Sequence, residues 1–228
     1  MKIKNTLTHS LLIIALLISG CEDKEAEEQL VVESFSITLV DKITTGDETQ
    51  SQPELIRFVT DELGVIVNSE QNSVDFINIT PSGITMSGQS VQITQDADAD
   101  ASSIDVSVDE SILAVVVSKG ACLRGELYLI DTSSLQKYGP YELGFNPDAV
   151  DIAVDNKFVV VVNEFDYEDG VDGGCQSLGF PGVSVYDISA GIDKAALVKD
   201  MKISHTGSNG NLAEPEGVKI APNSDTVY

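Results

Sequence analysis

Tryptophan is absent, histidine occurs twice and cysteine three times. Each scarcity removes a class of chemistry. His9 falls in the first twenty residues, so His205 is the single imidazole of the rest of the chain. Histidine-rich zinc sites are thereby excluded. A Ser-His-Asp relay has only His205 to draw on, and the G-x-S-x-G elbow that exposes a hydrolase serine is missing. His205 reads as a loop residue. Gly207-Ser-Asn-Gly210 is glycine-rich but follows no strand-to-helix pattern, so it is no phosphate loop. Basic residues are also scarce: 13 Lys and Arg face 37 Asp and Glu, a net charge of −24. A field of that sign repels nucleic acid and anionic lipid, and it favours solubility or bound cations. The same acidity also suits life in an environment such as seawater.

No apolar run here is a membrane span. Leu11 to Ile18 is unbroken, but eight residues fall short of the roughly 20 that cross a bilayer. With Lys2 and Lys4 before it, the run has the size of a signal-peptide core. It ends at Ser19-Gly20-Cys21, small residues directly before a cysteine, which resembles the bacterial lipobox. Residues 1–20 are therefore expected to be a cleaved signal and Cys21 a lipidated N-terminus, followed by an acidic tether over 21–34. The membrane would be met only through that lipid, at about 0.8 kcal/mol per buried methylene. The expected location is the bacterial cell envelope, facing the periplasm or the exterior. Cleavage removes two lysines and no acid, leaving a mature charge of −26.

What remains is built from β-branched and aromatic residues in short runs, parted by Gly, Asp, Asn and Pro, an all-β composition. The runs recur in order. Segments starting at Pro53, Ala101, Pro147 and Pro215 each open with alternating apolar positions: Ile56 and Phe58, Ile104 and Val106, Val150 and Ile152, Val218 and Ile220. Period two buries one face. Each then turns on polar residues, such as Asp109-Glu110 and Asp155-Asn156, and enters a continuous apolar strand. A third strand follows in three segments (Val74 to Ile79, Glu126 to Asp131, Val183 to Ile188). A weaker fourth follows near Ser90 to Thr94, Tyr141 to Leu143 and Leu197 to Ile203. Four strands per unit, with unit starts 48, 46 and 68 residues apart, fit a β-propeller, whose repeats run to roughly 40–50 residues. The long spacing holds an insertion between Asn163 and Val183. An open β-sandwich explains strands but not this recurring order. The expectation is a partial β-propeller over 35–228, about three and a half blades of a longer protein, with Phe35 to Val40 as a closing outer strand.

Three stretches carry a family resemblance. They are Ser103-Ile-Asp-Val-Ser-Val with Gly125-Glu-Leu-Tyr-Leu-Ile-Asp131, Asn146-Pro-Asp-Ala-Val-Asp-Ile with Gly182-Val-Ser-Val-Tyr-Asp-Ile188, and Glu214-Pro-Glu-Gly-Val218. From Phe35 to Tyr228 the chain resembles the choice-of-anchor I family of exported propellers, related to seven-bladed YVTN-type repeats. The chain departs from that pattern in its cysteine-bearing insertion and its acidity.

Carboxylates supply the candidate sites. Glu54, Ser102, Asp148 and Glu216 hold equivalent positions at the mouth of each first strand. Three acids aimed at one axis would repel unless a cation separates them, and calcium takes 6–8 oxygen ligands. A Pro-acid pair also simply suits the start of a strand. Asp96, Asp98 and Asp100 have the odd-position spacing of a calcium loop, but Ala101 and Ser107 replace its glycine and closing glutamate; a solvated connecting loop competes with that reading. Glu164, Asp166, Glu168, Asp169 and Asp172 of the insertion offer a further set. Cys122 and Cys175 lie in corresponding loops of adjacent repeats, and an exported protein permits their disulfide. Such a bond would stabilise by about 4 kcal/mol in the chain-entropy model. The function expected is a lipid-anchored module that binds a protein, glycan or other ligand, with calcium as a candidate stabilising ion, without catalysis in this portion. The alternative is a calcium-dependent phosphoesterase-like or other hydrolase working in the channel, for which the few Lys and Arg are a poor anion pocket.

Overall fold

Alternating apolar residues and acid-rich turns fold the chain into twelve antiparallel strands, seen here in a computed structural model that describes residues 52–120, 123–165, 180–204 and 215–228. The first blade holds β1 (Pro53–Phe58), β2 (Leu63–Asn68), β3 (Ser73–Thr80) and β4 (Gly83–Gln92). The second holds β5 (Asp100–Val106), β6 (Ile112–Ser118), β7 (Arg124–Asp131) and β8 (Lys137–Phe145). The third holds β9 (Pro147–Ile152), β10 (Phe158–Asn163), β11 (Gly182–Asp187) and β12 (Ala196–Lys202), with a 3-10 turn at Ile192–Lys194. Every sheet is a meander in chain order.

Position in the blade follows from pattern. The second strands β2, β6 and β10 are continuous Val, Ile and Leu runs, and they are buried almost throughout because a neighbouring strand lies on each side and a neighbouring sheet covers them. The outermost β12 is exposed along its whole length. First strands of successive blades touch, β1 against β5 and β5 against β9. They converge, as strands around a central axis must.

The core lies between blades. Val65, Val67, Phe76 and Ile93 of the first blade pack on Ile104, Leu113, Val115 and Ile130 of the second. Leu127, Leu129 and Leu143 of the second pack on Val150, Val159, Val161 and Tyr186 of the third. Gly125 fits this seam because a Cβ there would run into the Pro147 ring and the Val117 carbonyl.

Two expectations change. The fourth strands are longer than their sequence signal: β4 begins at Gly83 and β8 at Lys137. Polar outer strands with one wet face carry little apolar pattern, so sequence reading caught only their most apolar parts. The fourth repeat forms no named strands among the described residues, only an isolated bridge of Ile220 to Val227. Val218 and Ile220 still pack against Val160, Val183 and Val185 of the third blade. Residues 1–51, which include the expected signal, Cys21, the expected tether and Phe35 to Val40, lie outside the described residues.

Candidate functional site at the channel mouth

The first-strand register carries a repeated irregularity. Pro53 pairs Asn68 and Leu55 pairs Val67, which leaves Glu54 out of the ladder. Ala101 pairs Val117 and Ser103 pairs Val116, which leaves out Ser102. Pro147 pairs Asn163 and Ala149 pairs Val162, which leaves out Asp148. Three of the four mouth positions picked by sequence equivalence are therefore the bulged residues of their blades. A bulge bends its strand and re-aims a side chain, and such bulges are frequent beside functional sites.

The mouth residues then diverge. Glu54 is exposed and its Oε1 accepts from Ser69 Oγ at 3.0 Å. Ser102 Oγ donates to the Pro147 carbonyl at 3.0 Å, tying the second blade to the third. Asp148 is half-buried; burial, and then the nearby Glu216 carboxylate, push its pKa above the ordinary value. Asp148 and Glu216 are thus brought within electrostatic reach across adjacent repeats. No group of three or more His, Cys, Asp or Glu side chains able to hold a metal occurs among the described residues.

Asp96, Asp98 and Asp100 part company. Asp100 is the first residue of β5, opposite Ser118. Asp96 Oδ1 accepts from the Asp98 backbone N–H at 3.2 Å, and its other oxygen lies 3.5 Å from Lys119 Nζ. Lys119 also donates to Glu126 at 3.1 Å, and Tyr128 donates to Glu126 at 2.7 Å. The Glu126 hydrogen bond and charge raise the Lys119 pKa. The cation serving this cluster is a side-chain ammonium. Asp166, Glu168, Asp169, Asp172, Cys122, Cys175 and His205 lie outside the described residues, while Glu164 accepts from Asn146 Nδ2 at 3.0 Å.

One row of residues was missed. Three positions beyond the mouth residues, the four repeats carry Arg57, Asp105, Asp151 and Lys219 in equivalent places. Asp105 Oδ2 accepts from the Ile152 N–H of the third blade at 2.9 Å, and Asp151 Oδ2 accepts from the Ile220 N–H at 2.7 Å. Arg57 Nε lies 3.7 Å from Asp105 Oδ1, and Lys219 Nζ pairs with Asp151 Oδ1. Burial raises the Asp105 pKa against the Ile152 N–H, Asp151 raises it further, and Lys219 lowers it. Acids placed where a period-two pattern asks for the polar face were the available signal.

The architecture defines the class: a partial β-propeller of four-stranded blades. The choice-of-anchor I domain profile matches residues 55–227, so the chain belongs to the choice-of-anchor I family. Membership in that family indicates a surface or extracellular protein. No curated protein matches the chain. Among solved structures it is similar to the hydrazine synthase of Kuenenia stuttgartiensis (TM-score 0.57, 17% identity, 77% of this chain and 49% of that one). It is also similar to putative 6-phosphogluconolactonases of Bacteroides fragilis (0.55, 16%, 75% and 42%) and Bacteroides uniformis (0.56, 12%, 78% and 46%). At these identities the likeness covers the fold alone. The chain spans about half the length of these structures.

Proposed function

We propose that this chain is a lipid-anchored cell-envelope propeller that binds a protein, glycan or other ligand at its channel mouth, with calcium as a stabilising ion and without catalysis. The observation that carries this reading is the bulge repeated at Glu54, Ser102 and Asp148. Three blades break their ladder at equivalent positions, and a bulge there re-aims the side chain out of the ladder, as is frequent beside functional sites. Asp148 and Glu216 supply carboxylates from adjacent repeats whose mutual repulsion a hard cation would relieve. Lipidation at Cys21 holds the domain at the membrane, and a Cys122–Cys175 disulfide holds the acidic insertion beside the second blade. Mass spectrometry of the mature N-terminus and free-thiol labelling without reductant test these two bonds.

The hydrolase alternative requires a cationic partner for an anionic substrate at the mouth, and Glu54, Ser102, Asp148 and Glu216 include none. The full-length protein is to be assayed with p-nitrophenyl phosphate and calcium, in parallel with a glycan array. Glycan or protein capture without turnover supports the binding reading. Turnover that disappears with a chelator and in Asp148→Asn would replace it with the hydrolase.

A further inference from the structure

At the other end of the same inner strands, the first two blades part around an open cavity of about 580 Å³. That size falls in the range of small-molecule sites, roughly 300–1,000 Å³. Its lining combines Phe58, Val106 and Val108 with Thr60, Asp61 and Glu110. Phe58 and Val108 are each 66% exposed. Isolated exposed apolar side chains are ordinary; here two of them flank one concavity together with two carboxylates.

The charge of the lining is one-sided. It includes no Lys, Arg or His. Neither the Asp61 nor the Glu110 carboxylate has a hydrogen bond or ion pair among the described residues. The neighbouring Arg57 is engaged elsewhere, with Asp105 at 3.7 Å and the Ile56 carbonyl at 3.1 Å. Anions are therefore repelled. A group that satisfies every wall carries positive charge on an aliphatic stem: the charge meets the carboxylates and the Phe58 ring face, and methylenes cover the valines. We propose that this cleft binds a small aliphatic amine of the polyamine type. The inference rests on the reading of the domain as a binding module, but it uses the end of the strands away from the mouth, so each can fail alone.

The turn itself supplies a clean variant. Glu110 sits at φ 65, in the left-handed region, and the equivalent turns of the next two repeats place Asn156 (φ 55) and Ser224 (φ 60) there. Asn is well tolerated in that conformation, so Glu110→Asn removes the carboxylate without endangering the turn. Calorimetry of the full-length protein, freed of divalent cations beforehand and measured without chelator, is to use spermidine and 1,5-diaminopentane as probes, with 1,5-pentanediol and magnesium as controls. The expected result is saturable binding of the amines and none of the diol. Glu110→Asn and Asp61→Asn should each weaken it about tenfold, the equivalent of one charge-assisted contact. Phe58→Leu, which keeps apolar bulk but loses the ring face, should weaken amine binding to a lesser extent. Calcium binding, measured separately, should be unchanged in Glu110→Asn. Absence of amine binding, or equal affinity in all variants and for magnesium, as the overall acidic field alone would give, overturns the proposal.

Discussion

The first and second blades have the same four strands in the same order, yet their surroundings differ. The second is covered on both sides: Leu113, Val115 and Ile130 meet the first blade, and Leu127, Leu129 and Ala114 meet the third. In the first blade Val65, Val67 and Phe76 are buried against the second, while the opposite face mixes buried Ile66 and Ile77 with exposed Ile56 and Met86 among the described residues. Hydrogen bonding builds each sheet from its own sequence, but burial of a sheet face is supplied by the neighbour. Stability in such arrays is roughly a sum of unit and interface terms, and the interface term is where the two blades part.

That difference is open to attack by substitution. Leu129 is fully buried in the seam between the second and third blades. Leu129→Ala should cost about 3 kcal/mol through lost transfer energy and the cavity left behind. Phe58→Ala, at the exposed end of β1, should stay within about 0.5 kcal/mol. Urea unfolding of both variants checks this, and equal losses would erase the proposed distinction between the buried seam and the exposed strand end.

A smaller effect is expected where the seam is polar. The buried Asp151 side chain takes the Ile220 N–H and the Lys219 ammonium. Asp151→Ala should cost about 2 kcal/mol, because the amide of the next repeat is left without an acceptor. Faster amide exchange at Ile220 would locate the damage; an unchanged rate would show that the stitch is dispensable.

The smallest effects are in pH dependence, and they have opposite signs within one blade. Hydrogen bonds from Ser111, then from Ser107 and Asn156, lower the Asp109 pKa from 3.8 to about 2. Its stabilisation is present above 3.8 and is lost as pH falls toward 2. Burial raises the Asp105 pKa above 3.8, so its contribution is present below 3.8 and is lost as pH climbs through the raised value. Melting curves against pH should therefore lose part of their acid slope in Asp109→Asn. In Asp105→Asn they should lose part of a decline that begins above 3.8. A shared direction in the two variants would contradict the assigned environments.

The legible and illegible parts of the fold divide along the same line. Strand order within a blade is local, and the runs at Ile112–Ser118 and Phe158–Asn163 announce second strands by continuous apolar character. The bulges at Glu54, Ser102 and Asp148 depend on pairing register, which composition does not encode, although the equivalence of the three positions was visible in the repeats. The stitch from Asp105 to Ile152 N–H links residues 47 apart and belongs to no local pattern. Asp96 has the spacing of a calcium loop, but folding brings Lys119 beside it. A charge supplied from another strand cannot be anticipated from spacing within one loop.

The central claim is that the channel mouth is a calcium-stabilised binding face, and calorimetric titration of calcium into the full-length protein tests it most directly. The account predicts saturable binding that weakens at least about tenfold when Asp148→Asn and Glu216→Gln are combined, together with a calcium-dependent rise in melting temperature. Absence of calcium binding, or binding that is indifferent to both substitutions, would contradict it.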